Sequence, residues 1–139
     1  IATLIADTVS LFEQDPRVAA VGVRIEPTSI VVQADAEQLK LALLNLLQNG
    51  AQAMRGRGTI AIATTTAGEW HELRITDQGD GIPDAVRAHL FEPFFTTRHH
   101  GTGLGLVTAR RVIEAHGGSV TLDPAPGGGT GAVVRLPAR

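Results

Sequence analysis

The sequence predicts an α+β fold: a two-layer sandwich with a mixed, mostly antiparallel sheet packed on three helices. Three observations carry that prediction. Three stretches have apolar residues at helical spacing, six short stretches are β-rich, and a tight Ala67-Gly68 turn joins two of these strands. At 139 residues and 14.6 kDa the chain is one domain's worth of polypeptide. Folding at that size buries about two thirds of the extended chain's surface, enough for a substantial core.

Taken in order, residues 1–13 place Leu4, Ile5, Val9 and Phe12 on one face and read as a short amphipathic helix. Residues 21–26 and 29–33 read as two strands joined around Pro27. Asp35, with Gln38 three residues on, is an N-cap signal for a helix running to about Met54, where Gly56 and Gly58 end it. Residues 59–66 and 69–76 form the hairpin strands. Residues 77–102 are rich in glycine, proline and polar residues, with one short helical stretch near 84–90; a loop that long in a small domain usually carries function. A helix follows from about Gly103 to His116, stopped by Gly117-Gly118. Residues 119–123 and 130–136, separated by the glycine-rich turn 127–129, are the closing strands.

Composition excludes several classes. A net charge of -2 gives no basis for nucleic acid or an anionic membrane as partner. With no cysteine there is neither a disulfide framework nor a thiolate metal site, which fits a cytoplasmic setting. The longest strongly apolar run, 41–47, is interrupted by Asn45 and too short to span a bilayer, and no secretory signal precedes it. The chain opens on Ile1 rather than methionine, which reads as an excised piece of something longer.

The central helix carries the first chemical signal. It is apolar around most of its circumference, and its one polar stripe is Gln38, Asn45, Gln48, Asn49 and Gln52, all neutral amides. A solvated face would use charges, as Glu37 and Lys40 do. Amides accept from a hydrated cation through oxygen and donate to phosphate through nitrogen, where carboxylates would repel a polyphosphate. Magnesium keeps several waters and takes one or two protein oxygens, so a single amide oxygen from Asn49 suffices. On the amides alone, capping of a half-buried helix is an equal alternative.

Glycines mark two further places. Asp77-Gln78-Gly79-Asp80-Gly81-Ile82-Pro83 follows a predicted strand, and Asp77 there can accept a hydrogen bond from an exocyclic amine such as that of adenine. An ordinary Asp-Gly turn is the alternative. Gly101-Thr102-Gly103-Leu104-Gly105-Leu106 opens the last helix, where free backbone N–H groups make an anion site. It is not a Walker A loop, because no Gly-Lys-Ser/Thr follows. Between them, Phe91-Glu92-Pro93-Phe94-Phe95-Thr96-Thr97-Arg98 sets three of the four phenylalanines in a polar loop; with Pro93 arguing against a core strand, it reads as a flap that closes over a ligand.

Together these segments resemble the ATP-binding catalytic domain of sensor histidine kinases. Asn45-Leu-Leu-Gln-Asn49-Gly-Ala-Gln-Ala53 looks like that family's N box, 77–81 like the G1 box, 91–95 like the F box and 101–105 like the G2 box. His116-Gly117-Gly118 and Gly129-Thr130 also fall where the family has them, so the resemblance covers about residues 35–137. The Phe-Phe-Thr-Thr-Arg wording resembles the nitrogen- and dicarboxylate-sensing branch. The resemblance implies the left-handed Bergerat ATP fold, shared with gyrase, Hsp90 and the mismatch-repair ATPases, as a single domain over 1–139 with an ATP lid at about 83–102. It implies ATP and Mg2+ as cofactors. Asn49 would hold the magnesium, with Asn45 beside it as the other catalytic residue, and Asp77 would read the adenine amine. Gly79, Gly81 and Ile82 would shape the base pocket, with Thr130 supporting adenine through water. Gly101, Gly103 and Gly105 would contact the phosphates, with Ala53, Thr97, Thr102, Leu104 and Leu106 in the same ATP site. Arg98 would pair with a phosphate or serve as an exposed salt-bridge partner.

The fold's hydrolases place a glutamate one helical turn before the magnesium asparagine; here that position is Asn45, and asparagine is no general base near neutral pH. Transfer of the γ-phosphoryl group to a protein nucleophile is therefore expected over hydrolysis. The family's nucleophile is a histidine followed by an acidic residue and a proline on a helical hairpin. His71-Glu72 lies in a predicted strand with no proline, and His89, His99, His100 and His116 read as lid and surface residues. The expected partners are therefore a dimerisation and phosphoacceptor domain of the full-length kinase, absent from this chain, and through it a response regulator. Nucleic acid and direct membrane contact are not expected; the setting is cytoplasmic, including the cytoplasmic portion of a membrane-anchored sensor. The alternative on the same fold is a nucleotide-binding switch or an anti-sigma-type serine kinase.

Overall fold

Helix α1, Ala2–Glu13, turns Ile5, Val9 and Phe12 inward at the spacing the sequence shows. Thr8 lies on the same buried face because its hydroxyl donates to the Leu4 carbonyl one turn back, at 2.7 Å. The computed structural model describes residues 2–14, 16, 19–26, 28, 30–32, 34–54, 57–78, 105–124 and 129–138. Strand β1, Ala20–Ile25, follows, and the Glu26 N–H extends its pairing by donating to Ile62 O at 2.9 Å.

Of the strand expected at 29–33, the described residues 30–32 carry no strand pairing. The Ile30 N–H donates instead to the Thr28 hydroxyl at 3.3 Å, a local bond that competes with a ladder, and Val31 stands exposed. The described residues therefore hold five strands rather than six. The expected short helix near 84–90 lies outside them.

Helix α2, Ala36–Ala53, begins where the sequence places it. Asp35 Oδ1 accepts the Gln38 N–H at 3.1 Å, and the Asp35 carbonyl accepts the Leu39 N–H at 2.9 Å. Leu39, Leu43, Leu46, Leu47 and Ala51 form its buried side. Strands β2, Arg57–Ala67, and β3, Trp70–Thr76, make the predicted hairpin, with Gly68 in its turn.

Helix α3, Gly105–Ala115, ends in a Schellman motif that accounts for His116-Gly117-Gly118. The Gly117 N–H donates to Glu114 O and the Gly118 N–H to Ile113 O, each at 3.0 Å, with Gly117 at φ 80°. A Cβ on Gly118 would collide with the Arg135 carbonyl oxygen, so the chain passes this close only as glycine.

Strands β4, Ser119–Pro124, and β5, Thr130–Pro137, complete a sheet of order β1-β2-β3-β5-β4. Only β1 and β2 pair in parallel, through the α2 crossover; the other three pairings are antiparallel. Alternation sends Ile60, Ile62, Leu73, Ile75, Val120, Leu122, Val134 and Leu136 into one core with the helices. On the opposite face Glu72 draws two arginines, Arg135 at 3.4 Å and Arg74 at 3.8 Å. Trp70, the only tryptophan in the sequence, opens β3 opposite Pro137 and is partly exposed. Among the described residues, no helix is long and apolar enough to cross a membrane.

Candidate nucleotide-binding site

The antiparallel pairing of β3 with β5 brings together two residues 53 positions apart in sequence. Thr76 faces Gly131 in the ladder, so Asp77 meets Thr130 one step beyond it. The Asp77 N–H donates to Thr130 O at 2.9 Å, and the Thr130 N–H donates to Asp77 Oδ1 at 3.2 Å. The aspartate side chain thus takes the place of a backbone carbonyl, which fixes its carboxylate at the strand end. Both residues are buried, Asp77 to 5% exposure and Thr130 to 3%. Gly129, at φ 80°, lets the chain pass directly over Asp77, where a Cβ would collide with the Asp77 carbonyl.

Sequence reading missed Gln78, which completes this clasp. Its Oε1 accepts the Thr59 N–H at 3.1 Å and ties the segment after Asp77 to the start of β2. No sequence signal marks it, since the partner is 19 residues away.

One polar atom in the clasp is unsatisfied. The Thr130 hydroxyl is buried and has no hydrogen-bond partner among the described residues. A buried unpaired hydroxyl costs about 1–3 kcal/mol, which a ligand or a bound water recovers. The residues present therefore suit an amine-bearing base: a buried carboxylate to accept from it and a hydroxyl beside the carboxylate seeking a partner.

Helix α2 brings its amides to the same place. Gly50 is packed against Asp77, a Cβ built on it standing 3.5 Å from the Asp77 Cβ, so Asn49 is one residue from the clasp. Asn45, one turn earlier, and Asn49 are both half-buried, as is Gln48. Gln38 is exposed at the far end of the helix. Among the described residues no group of three or more His, Asp or Glu could hold a metal ion, so a cation here would depend on amide oxygen, water and ligand phosphate.

The N-terminus of α3 is held near these amides by a contact at its other end. The Asp35 N–H donates to His116 Nε2 at 3.0 Å, and His116 Nδ1 lies 2.7 Å from Val112 O. Nε2 therefore accepts and Nδ1 carries the proton. His116 is half-buried between two helices and has a structural role there. Since α3 ends where α2 begins and packs along it, the pair is antiparallel. At 1.5 Å per residue, α3 opens about 15 Å back along α2, abreast of Asn45. The N-terminal end of α3, where the helix dipole is positive, thus lies abreast of the amide stripe. Leu106, in the first turn of α3, is half-buried against the core. Ala53 is in the last turn of α2 and Gly105 is the first residue of α3. Gly79, Gly81, Ile82, Thr97, Arg98, Gly101, Thr102, Gly103 and Leu104 lie outside the described residues, as does the lid.

A family model for the "Histidine kinase-, DNA gyrase B-, and HSP90-like ATPase" matches residues 34–139. The chain belongs to this ATPase family. Within the family its neighbours are sensor kinases. It is 34% identical over 136 residues to sporulation kinase A of Bacillus subtilis, covering 96% of this chain and 22% of that protein. It is 40% identical over 110 residues to the C4-dicarboxylate transport sensor protein DctS of Rhodobacter capsulatus, covering 76% of this chain and 17% of that one. The mycobacterial sensor histidine kinase MprB superposes with a TM-score of 0.87 at 31% identity, covering 98% of this chain and 93% of that structure. The chain thus spans less than a quarter of the length of these two curated relatives. This member of the ATPase family has the fold and sequence of the ATP-binding catalytic domain of two-component sensor histidine kinases.

Proposed function

We propose that this chain binds Mg-ATP and supplies the γ-phosphoryl group for a histidine on a separate helical domain of the same full-length kinase, which passes it on to a response regulator in the cytoplasm. The Asp77–Thr130 clasp carries the reading. Its fixed, buried carboxylate accepts from the adenine amine, and the Thr130 hydroxyl gains its missing partner through a water at the base. The magnesium ion, when bound, neutralises phosphate charge, and Asn49 supplies its protein oxygen with Asn45 beside it. By resemblance to the family, residues 101–106 would line the phosphates, with Thr97 and Arg98 in the same ATP site; of these only Gly105 and Leu106 lie among the described residues. In the transfer itself the acceptor imidazole nitrogen bonds to Pγ as the bond from Pγ to the β–γ bridging oxygen breaks, and ADP leaves. Asn45 stands where a water-activating base would be needed, which favours transfer over hydrolysis.

Neither described histidine stands in the expected acceptor context, a helical hairpin with an acidic residue and a proline following: His71 is in β3 and His116 follows the end of α3. His71 Nδ1 is paired with the Thr66 hydroxyl at 2.9 Å within the hairpin, and both ring nitrogens of His116 are engaged. On this reading the isolated chain binds ATP without phosphorylating itself; His89, His99 and His100 lie outside the described residues. Hydrogen bonds to a charged group are worth about 1.5–3 kcal/mol, so Asp77→Asn is expected to weaken Mg-ATP binding by about ten- to a hundredfold in calorimetry. Unchanged affinity in that variant overturns the assignment of the base site.

A further inference from the structure

Most of the close-packed glycines in this fold have a steric reason to be glycine. A Cβ on Gly118 would collide with the Arg135 carbonyl, one on Gly129 with the Asp77 backbone, and one on Gly58 would stand 2.9 Å from Met54 Sδ. Gly50 is different. It is buried in the interior of α2 and is not among the positive-φ glycines. Its Cβ would meet Ile60 Cδ1 at 3.4 Å, Asp77 Cβ at 3.5 Å and Asp77 Oδ2 at 3.7 Å, all ordinary van der Waals separations. An alanine fits there, and a helix interior prefers it. The missing methyl therefore leaves a gap one methyl wide, walled by Ile60 and by the carboxylate of Asp77.

We propose that Gly50 sets the selectivity of the base site: the gap beside Asp77 admits a small substituent on the exocyclic amine, so that the chain takes N6-methyl adenine nucleotides as well as ATP. This rests on the reading of Asp77 as acceptor for that amine. Of the two carboxylate oxygens, Oδ1 accepts the Thr130 N–H, and Oδ2 is the one beside Gly50. An amine nitrogen bonded to Oδ2 at about 2.9 Å places its carbon substituent about 3–4 Å from that oxygen. The absent Cβ position lies in the same shell, at 3.7 Å. On the proposal, a nucleotide methyl takes the space beside Oδ2 that an alanine methyl at position 50 would fill, and glycine leaves that space to the ligand.

The test is calorimetric titration of the wild-type chain and of Gly50→Ala with ATP and with N6-methyl-ATP, each with magnesium. Wild type is expected to bind the two nucleotides comparably. Gly50→Ala is expected to shift the ratio of affinities against N6-methyl-ATP by about tenfold or more, the discrimination a single methyl gives in a fitted pocket. The same ratio in both proteins, or strong rejection of N6-methyl-ATP by wild type, overturns the proposal. A measurement on wild type alone guards against a poorly folded variant. N6-benzyl-ATP, too bulky for a one-methyl gap, is expected to bind much more weakly than N6-methyl-ATP, and equal affinity counts against the gap. Asp77→Asn separates the two layers of the argument: if it leaves ATP affinity intact, the amine assignment fails; if it abolishes binding while the Gly50→Ala ratio stays flat, only the Gly50 inference fails.

Discussion

Thr130 presents a conflict between folding and binding that a single substitution can separate. Its hydroxyl is buried without a partner among the described residues, while its backbone is bonded to Asp77 in both directions. Thr130→Val keeps the backbone and the shape but deletes the orphan. The free chain is expected to gain about 1 kcal/mol in urea denaturation, while Mg-ATP binding weakens in calorimetry. Loss of stability instead would mean that the hydroxyl is already satisfied without ligand. Gly50 and Gly129 give a second contrast at this scale. Gly50→Ala is expected to raise stability by about 0.5–1 kcal/mol, since the methyl finds room in a helix interior. Gly129→Ala is expected to lower it by more than about 2 kcal/mol, because its methyl would meet the Asp77 carbonyl at a left-handed φ. Paired denaturation curves of the two variants, with opposite signs, check the claim.

Between elements, the link from α3 to α2 concentrates in one imidazole. His116 receives the Asp35 N–H and caps its own helix at Val112 O, so His116→Ala removes two hydrogen bonds and is expected to cost about 1–3 kcal/mol in denaturant unfolding. Asp35→Ala, which strips only the N-cap side chain, is expected to cost about 1 kcal/mol. By contrast, Glu72→Gln on the open sheet face is expected to change stability by less than about 1 kcal/mol, because both arginine partners are half exposed and screened. The features legible in the sequence were those written locally. Asp35 with Gln38, the Ala67-Gly68 turn and the glycines after His116 each declare themselves within a few residues, as did the amide stripe by its lack of charge. Contacts made by folding were not legible. The His116–Asp35 bond joins residues 81 apart, and Gln78 reaches Thr59 across the sheet. Residues 29–33 have strand-like composition, yet β1 is the edge of the sheet and a threonine hydroxyl captured the Ile30 N–H. Of the proposed site, Asp77 and Asn49 were singled out by residue type and order and Thr130 by family resemblance, whereas the gap at Gly50 is a property of packing that no spacing encodes.

On the scale of the whole molecule, the three described helices and the described sheet share one hydrophobic core, so unfolding should be a single cooperative transition. The base-binding residues proposed above, Asp77 and Thr130, lie where β3 closes and β5 opens. Incubation with γ-labelled ATP is expected to leave the isolated chain unlabelled, and incorporation of label would show that an acceptor lies within it. The direction of β3 has a practical consequence for such assays. Trp70 begins the strand and Asp77 follows its end, which at about 3.3 Å per residue separates them by roughly 23 Å. The chain's one indole is thus an optical probe remote from the base site. Its emission should shift red as the sheet melts yet stay constant as nucleotide is added, so fluorescence can follow folding in the presence of ligand without being confounded by binding.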